Sequence, residues 1–318
     1  MKKLFALLCA LGILFSLTAC NTAADAEYTV GICQYVNHRS LNASTQGFKD
    51  ALTESLGDSV VFIEANAAGE YSNCTAIAND LVAQDVDLIL ANSTLALQTC
   101  TSATGDIPIL GTSITDYASA LGIENWGGTV GGNISGTSDL APLNEQAAML
   151  HELFPDAKNV GLLYCSAEPN SIYQVETITP ILEEFGYTVS YHAFTDVNDL
   201  TSVTEAACET ADVLFIPTDN AAASTSEAIA NIVLAAGVPV ICGDEGSCMG
   251  CGVATLSIDY YELGYATGEM AVKILTGEAN ISEMPIEYAP TARKLYHSDH
   301  CKALQVTVPA DYEAIAFE

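Results

Sequence analysis

Clusters of polar side chains follow the ends of apolar runs at eight places in this sequence. In "VLFIPTDN" the apolar run stops at Pro217, and a hydroxyl, a carboxylate and an amide follow as Thr218, Asp219 and Asn220. Groups of this kind, brought together, can hold a small polar molecule. The residues that we predict to line such a site are Gln34, Tyr35, Asn66, Ser93, Thr94, Thr115, Asp116, Asp139, Asn170, Thr218, Asp219, Asn220, Glu245 and Asp259.

The predicted site is rich in carboxylates and poor in arginine. The whole chain contains only Arg39 and Arg293, so it cannot build a clamp of several arginines for a phosphate or a dicarboxylate. The aspartates suit the ammonium group of a ligand, and hydroxyls and backbone N–H groups at Ser93 and Thr94 suit a single carboxylate. We therefore expect a zwitterionic ligand, an aromatic or apolar amino acid, and we expect Asp219→Ala to weaken binding while leaving the fold intact.

Catalysis and metal binding are weaker interpretations of these residues. The chain has no G-x-S-x-G, H-E-x-x-H or Walker A motif, so we predict no enzyme, no catalytic residues and no cofactor. Any single cluster can be a helix cap, but capping does not account for the whole set. Cys248 and Cys251 in "CMGC" have the spacing of half a metal or redox site, yet no second C-x-x-C completes it. We predict structural thiols and no metal.

The elements that must position these residues are short apolar strands alternating with amphipathic helices. Strands hydrophobic along their whole length are typical of parallel sheets covered by helices on both faces. Two segments, "VDLILANST" and "ADVLFIPTD", repeat one pattern, which predicts two similar α/β lobes with a hinge. We assign residues 28–136 and about 258–288 to lobe 1, and 137–257 and about 289–318 to lobe 2.

A glycine-rich stretch and two short hinge segments are predicted to connect the lobes. Residues 124–138 contain several glycines and show no helical period, so we expect them to form a crossover between the lobes. We expect the lobes to rotate about Gly136–Thr137 and Leu256–Ser257 and so to close over the ligand.

The first twenty residues of the chain are typical of an export signal. Lys2 and Lys3 precede an apolar run that is too short for a comfortable membrane span, and "LTAC" resembles a bacterial lipobox. We therefore predict a signal peptide over 1–19, a lipid on Cys20 and a tether over 20–27, which would place the protein on the outer face of a bacterial cell membrane. The formal net charge of −31 argues against nucleic acid as a partner.

Several motifs in order carry a family resemblance. The series "VGICQYVNH", "VDLILANST", "IPILGTSITD", "GTSDL", "PTDNAAAS" and "IDYYELGYATGEMAVKIL" resembles the ABC-transporter substrate-binding proteins that include tryptophan- and tyrosine-type receptors. The resemblance implies a type I periplasmic-binding-protein fold, an amino-acid ligand, a monomer, and a permease and an ATPase as partners. The residues that match motif positions of the family are Ser93, Thr94, Asp116, Asp139, Thr218, Asp219, Asn220 and Asp259.

Two alternatives remain open on the sequence. A receptor that passes a ligand signal to a partner protein would have the same fold as an import receptor. The ligand could also be a nucleoside or a sugar instead of an amino acid.

Overall fold

The computed structural model describes residues 26–289 and 291–317. The central strands, such as Leu88–Asn92 and Ile109–Ile114, are buried on both faces, as expected for a sheet covered by helices. The strands are β1 (Tyr28–Gln34), β2 (Val60–Asn66), β3 (Leu88–Asn92), β4 (Ile109–Ile114), β5 (Ile134–Ser138), β6 (Asn159–Cys165), β7 (Thr188–Phe194), β8 (Val213–Ile216), β9 (Val240–Cys242), β10 (Ala254–Ile258), β11 (Glu287–Tyr288), β12 (Ala292–Tyr296) and β13 (Glu313–Ala314).

Twelve α-helices connect these strands within the described residues. They are α1 (Arg39–Leu56), α2 (Tyr71–Ala83), α3 (Thr94–Ala103), α4 (Tyr117–Leu121), α5 (Leu143–Leu153), α6 (Pro169–Glu184), α7 (Leu200–Thr210), α8 (Asn220–Ser224), α9 (Ser226–Ala236), α10 (Glu245–Cys251), α11 (Tyr260–Leu275) and α12 (Ser298–Ala303).

The strands form two separate sheets, which confirms the prediction of two α/β lobes. The first sheet has the order β11-β5-β4-β3-β1-β2 and the second has the order β13-β12-β10-β9-β8-β6-β7. The pairings are parallel except for that of β10 with β12, which is antiparallel. Each lobe has its own apolar core, with Phe48 and Leu90 in the first and Phe215 and Ile241 in the second.

Followed along the described strands, the chain passes between the lobes at three places: after β5, after β10, and between β11 and β12. The stretch predicted as a crossover, 124–138, ends in the strand β5, which the sequence analysis did not identify, and the first crossing follows it. Gly136 hides this strand in the sequence, because glycine is uncommon inside strands. Glycine is required there, since its φ is +142° and an added Cβ would lie 2.1 Å from the carbonyl oxygen of Gly111. The expected hinges at 136–137 and 256–257 lie inside β5 and β10, and the crossings begin just beyond them.

The thiols of the predicted C-x-x-C lie inside the core of the second lobe. Cys248 and Cys251 are buried in α10, and Cys242 of β9 is buried in the same cluster. Burial raises the pKa of Cys248. Within 26–289 and 291–317, no three potential metal ligands come together as a metal site would require.

The predictions for the N-terminal signal, Cys20 and most of the tether lie outside the described residues. Among the residues that are described, no helix is long and apolar enough to cross a membrane.

Helices α1 and α11 join the beginning of the chain to its last third. They cross at glycines: a Cβ on Gly264 would lie 1.9 Å from the carbonyl oxygen of Ser44, and one on Gly47 would lie 2.1 Å from that of Tyr261. The two backbones can approach this closely only because both positions lack a side chain. This contact packs α11 onto the first lobe although the strand before it belongs to the second.

Candidate functional site

A cavity of about 680 Å³ lies between the two lobes, beside the carboxyl ends of their strands. The first lobe contributes Tyr35, Leu95 and Gln98 to its wall, and the second contributes Ala167 and Asn220. No lysine, arginine or histidine is present among the described residues that line it. A cleft of this size between domains has the dimensions of a small-molecule site.

The first lobe presents the N-terminus of α3 beside this cavity. Ser93 caps the helix, since its hydroxyl accepts a hydrogen bond from the N–H of Ala96 at 3.4 Å, and it adopts a φ of +110° that is unusual for a residue other than glycine. Thr94 follows, is 2% exposed, and has a hydroxyl without a hydrogen-bond partner among the described residues. A buried hydroxyl left unpaired at a positive helix end is suited to an anionic group of a ligand.

Asp219 lies on the opposite lobe but faces its own protein. Its carboxylate accepts hydrogen bonds from the backbone N–H groups of Cys165 (2.6 Å) and Ala222 (2.9 Å) and from the hydroxyl of Ser171 (2.7 Å). Burial raises the pKa of Asp219, and these hydrogen bonds lower it. Since all three donors lose their acceptor in Asp219→Ala, we expect this substitution to lower stability as well as binding.

Glu168 is a buried carboxylate that the sequence analysis missed. It is 1% exposed and accepts hydrogen bonds from the side-chain amide of Asn220 (2.6 Å) and from the backbone N–H groups of Asn220 (3.1 Å) and Ala221 (2.8 Å). Burial and the neighbouring charge of Asp219 raise the pKa of Glu168. Its signal in the sequence was its place two residues before Asn170, in the short turn between the buried strand β6 and α6.

Asn170 offers a free acceptor on the second lobe. Its side-chain N–H group donates to the carbonyl oxygen of Thr218 at 3.0 Å, whereas its side-chain oxygen is buried and has no partner among the described residues. Thr218 itself is half-buried and holds Asn170 and Gln174 through its backbone. Asn170 and Thr94 are thus both buried, belong to different lobes, and each keep an unpaired polar atom.

A second group of predicted residues lies at the crossing between the lobes, where its members bind one another. Asp139 is 3% exposed and accepts hydrogen bonds from the hydroxyls of Thr115 (3.0 Å) and Tyr260 (2.9 Å). Burial raises the pKa of Asp139 to about 6, although these two hydrogen bonds lower it. The structure does not bring Asp139 or Thr115 to the wall of the cavity.

Glu245 and Asp259 line a smaller cavity of about 240 Å³. Both lie near the guanidinium of Arg293, at 3.9 and 3.5 Å. Their negative charge is therefore directed at the protein's own arginine and not into the larger cavity.

The remaining predicted residues divide between the cavity wall and local structure. Tyr35 lines the large cavity and donates its hydroxyl to the carbonyl oxygen of Gly69 at 2.7 Å. Asp116 caps α4, since it accepts from the N–H of Ser119 at 2.7 Å. Gln34 accepts a hydrogen bond from the Thr45 hydroxyl at 2.6 Å and donates one to the Asn42 side-chain oxygen at 2.7 Å. Asn66 is exposed and donates to the Asn37 side-chain oxygen at 3.0 Å.

The comparisons with known proteins agree with this arrangement of two lobes around a cleft. Residues 29–318 match the family model described as ABC transporter substrate binding protein. This chain belongs to that family. A tyrosine-binding protein of Clostridioides difficile strain R20291 is 31% identical to this substrate-binding protein over 288 residues, which cover 90% of this chain and 83% of the relative.

Two solved structures share the fold of this substrate-binding protein over most of its length. An ABC domain from Streptococcus pneumonia in complex with L-Trp has 30% identity and a TM-score of 0.85, with 90% of this chain and 97% of that one covered. The ligand-free, open structure of a substrate-binding protein with adhesive properties from Clostridium difficile has 31% identity and a TM-score of 0.69, with 92% and 100% covered. The predicted type I periplasmic-binding-protein fold is confirmed.

The substrate-binding protein has its lobes drawn together in this structure. Its TM-score is 0.85 with the L-Trp complex and 0.69 with the open, ligand-free relative, although the two sequence identities, 30% and 31%, are nearly equal. Two hydrogen bonds cross the cleft from the start of α1: His38 Nε2 lies 3.1 Å from the side-chain oxygen of Asn220, and the Ser40 hydroxyl donates to Asp244 at 2.6 Å. Such contacts between lobes are typical of hinge closure around a ligand.

Proposed function

We propose that this protein captures an aromatic or apolar amino acid between its lobes and delivers it to an ABC importer. The observation that carries the proposal is a pair of buried polar atoms that have no partner among the described residues. Each is next in sequence to a residue of the cavity wall: the Thr94 hydroxyl beside Leu95 on one lobe, and the Asn170 side-chain oxygen beside Pro169 on the other. Buried polar atoms in a folded protein nearly always have a partner. A ligand that bridges the lobes supplies one to each.

The two lobes suit the two charges of an amino acid. On the first lobe, the carboxylate of the ligand binds the N-terminus of α3 and the Thr94 hydroxyl, where the helix dipole is positive. On the second lobe, the Asn170 oxygen accepts from the ammonium group, and the negative charge of buried Glu168 lies close to Asn170, at 3.3 Å from its amide nitrogen. Tyr35 and Leu95 supply apolar contact for the side chain.

The relatives support this choice of ligand, because one is a tyrosine-binding protein and another was solved with L-Trp. The proposal extends to the setting: an extracytoplasmic receptor, anchored by lipid on Cys20, acting as a monomer with a permease and an ATPase. The role extends to binding and release of an unchanged ligand, which the match to a family of substrate-binding proteins supports.

A thermal-shift screen tests the ligand class. We expect L-tyrosine or L-tryptophan, at about 100 times its Kd, to raise the Tm by about 5 °C, because binding to the native state alone stabilises it. Tyramine and 3-(4-hydroxyphenyl)propionate each lack one of the two charges and should give much smaller shifts. If nucleosides or sugars raise the Tm and no amino acid does, the ligand class is wrong. Dipeptides belong in the screen because the cavity has a volume of about 680 Å³.

Thr94→Val should weaken amino-acid binding about tenfold without lowering stability, since the hydroxyl serves the ligand and bonds no other group among the described residues. Isothermal titration calorimetry measures the affinity and urea unfolding measures the stability. Thr99→Val is the matched control, because Thr99 is buried on the same helix and its hydroxyl donates to the carbonyl oxygen of Ala96 at 2.9 Å. Equal affinities for the Thr94 variant and the unchanged protein would remove Thr94 from the site.

A further inference from the structure

Asn220, a residue of the second lobe, contacts the first lobe and also lines the cavity. Its side-chain oxygen lies 3.1 Å from His38 Nε2, across the cleft, and Asn220 also lines the cavity. An amide oxygen only accepts hydrogen bonds, so Nε2 of His38 must carry a hydrogen and donate it. The other ring nitrogen, Nδ1, is buried and has no partner among the described residues.

Glu168 fixes the direction in which the Asn220 amide points. Its carboxylate accepts from both the side-chain nitrogen and the backbone nitrogen of Asn220, at 2.6 and 3.1 Å. A carboxylate in this position cannot face the amide oxygen, so that oxygen is turned toward the first lobe. The acceptor for His38 is therefore held in place before the lobes meet.

The segment that carries His38 is shaped to approach the second lobe. His38 directly precedes α1, and Ser40, two residues on, donates to Asp244 at 2.6 Å. Gly246 permits this approach, because a Cβ there would lie 2.7 Å from the Ser40 hydroxyl oxygen. Both hydrogen bonds join different lobes, so separating the lobes breaks them.

We propose that His38 is a positioning residue that couples ligand capture to lobe closure by donating its Nε2 hydrogen to an Asn220 amide oriented by Glu168. The proposal uses the proposed function in one respect, that the cavity wall formed by Asn220 holds the ligand. In the open protein the Asn220 oxygen accepts a hydrogen bond from water, and in the closed protein it accepts one from His38. Closure thus completes the cavity wall and gains a hydrogen bond in one step.

A histidine in this role makes closure sensitive to pH. Burial lowers the pKa of His38, while the charge of Asp244 and the hydrogen bond that His38 donates to Asn220 oppose that effect. The charged and titratable groups around it are Asp244, Glu168 and Asp219 behind Asn220, and Arg39, the next residue in the chain and the first of α1. Opening returns the ring to water and its pKa toward about 6.5. Closure below that pH must release a proton, so its stability is complete above about pH 6.5 and is lost as the pH falls.

The affinity for L-tyrosine at pH 7.5 and 5.5 tests the role of His38. For the unchanged protein we expect about a tenfold loss of affinity at pH 5.5. His38→Gln keeps an N–H donor without a proton to gain, so its affinity should change by less than about threefold between the two pH values. His38→Ala should bind about fivefold more weakly at pH 7.5. His151→Gln, in the second lobe beside Tyr187, is the control and should follow the unchanged protein.

The outcomes separate this inference from the proposed function. If the unchanged protein binds L-tyrosine and both His38 variants match it at both pH values, the role of His38 is overturned and the function stands. If the unchanged protein does not bind L-tyrosine, the ligand is wrong, and small-angle X-ray scattering of the ligand-free proteins decides the role of His38. A smaller radius of gyration at pH 7.5 than at 5.5 that His38→Ala abolishes would support it, and identical profiles for both proteins would contradict it.

Discussion

Asp219→Ala is expected to lower the free energy of unfolding by about 4 kcal/mol, because each buried donor left without an acceptor costs about 1–3 kcal/mol. Three such donors are involved, the N–H groups of Cys165 and Ala222 and the hydroxyl of Ser171, and Asp219 is 1% exposed. The loss of the cap on α8 is part of this cost. Equilibrium unfolding in urea, followed by circular dichroism, measures it.

Two variants sharpen this measurement. Asp219→Asn keeps a side-chain oxygen for the cap and should lose clearly less stability than Asp219→Ala. Glu227→Ala removes an exposed acid from α9 and should change stability by no more than about 0.5 kcal/mol. An Asp219→Ala protein with unchanged stability and abolished binding would instead agree with the sequence-based expectation of a ligand group. The experiment therefore distinguishes a residue that builds the site from one that contacts the ligand.

The two lobes could be predicted because their central strands are recognisable without any partner. A run such as "LILAN" in β3 is buried at every position, and such runs have only one common setting, a parallel sheet between helix layers. The two-residue strands β11 and β13 could not be predicted, because so short a segment has no periodicity. β5 was missed for a different reason, since Gly136 is required there by the approach of Gly111.

The site could be placed on the chain but not resolved into its parts. Strand ends predict where polar residues gather, yet Asp139 and Asp219 have the same local pattern as any ligand-binding aspartate. Their role depends on which donors reach each oxygen, such as the Tyr260 hydroxyl on Asp139, 121 positions along the chain. His38 acquires its role from Asn220, 182 residues away. Contacts this distant in sequence leave no local pattern to read.

The packing of α1 on α11 explains a second large effect, that of Gly264→Ala. A Cβ at position 264 would lie 1.9 Å from the carbonyl oxygen of Ser44 and 2.5 Å from its carbonyl carbon. These are backbone atoms inside a helix, so no side chain can rotate away, and the two helices must separate. Overpacking usually lowers the free energy of unfolding by about 3 kcal/mol or less, because neighbouring side chains can adjust. Since backbone atoms cannot, we expect Gly264→Ala to lower it by at least about 3 kcal/mol.

The comparison that isolates this effect uses a glycine without neighbours. No atom of residues 26–289 or 291–317 lies within 4 Å of a Cβ added to Gly105, so Gly105→Ala should change the free energy of urea unfolding by less than about 1 kcal/mol. Gly47→Ala meets the carbonyl oxygen of Tyr261 from the other side of the same crossing and should behave like Gly264→Ala. Because α11 follows the second crossing between the lobes, its displacement should also disturb closure. A Gly264→Ala protein as stable as Gly105→Ala would show that the helices do not cross as closely as described.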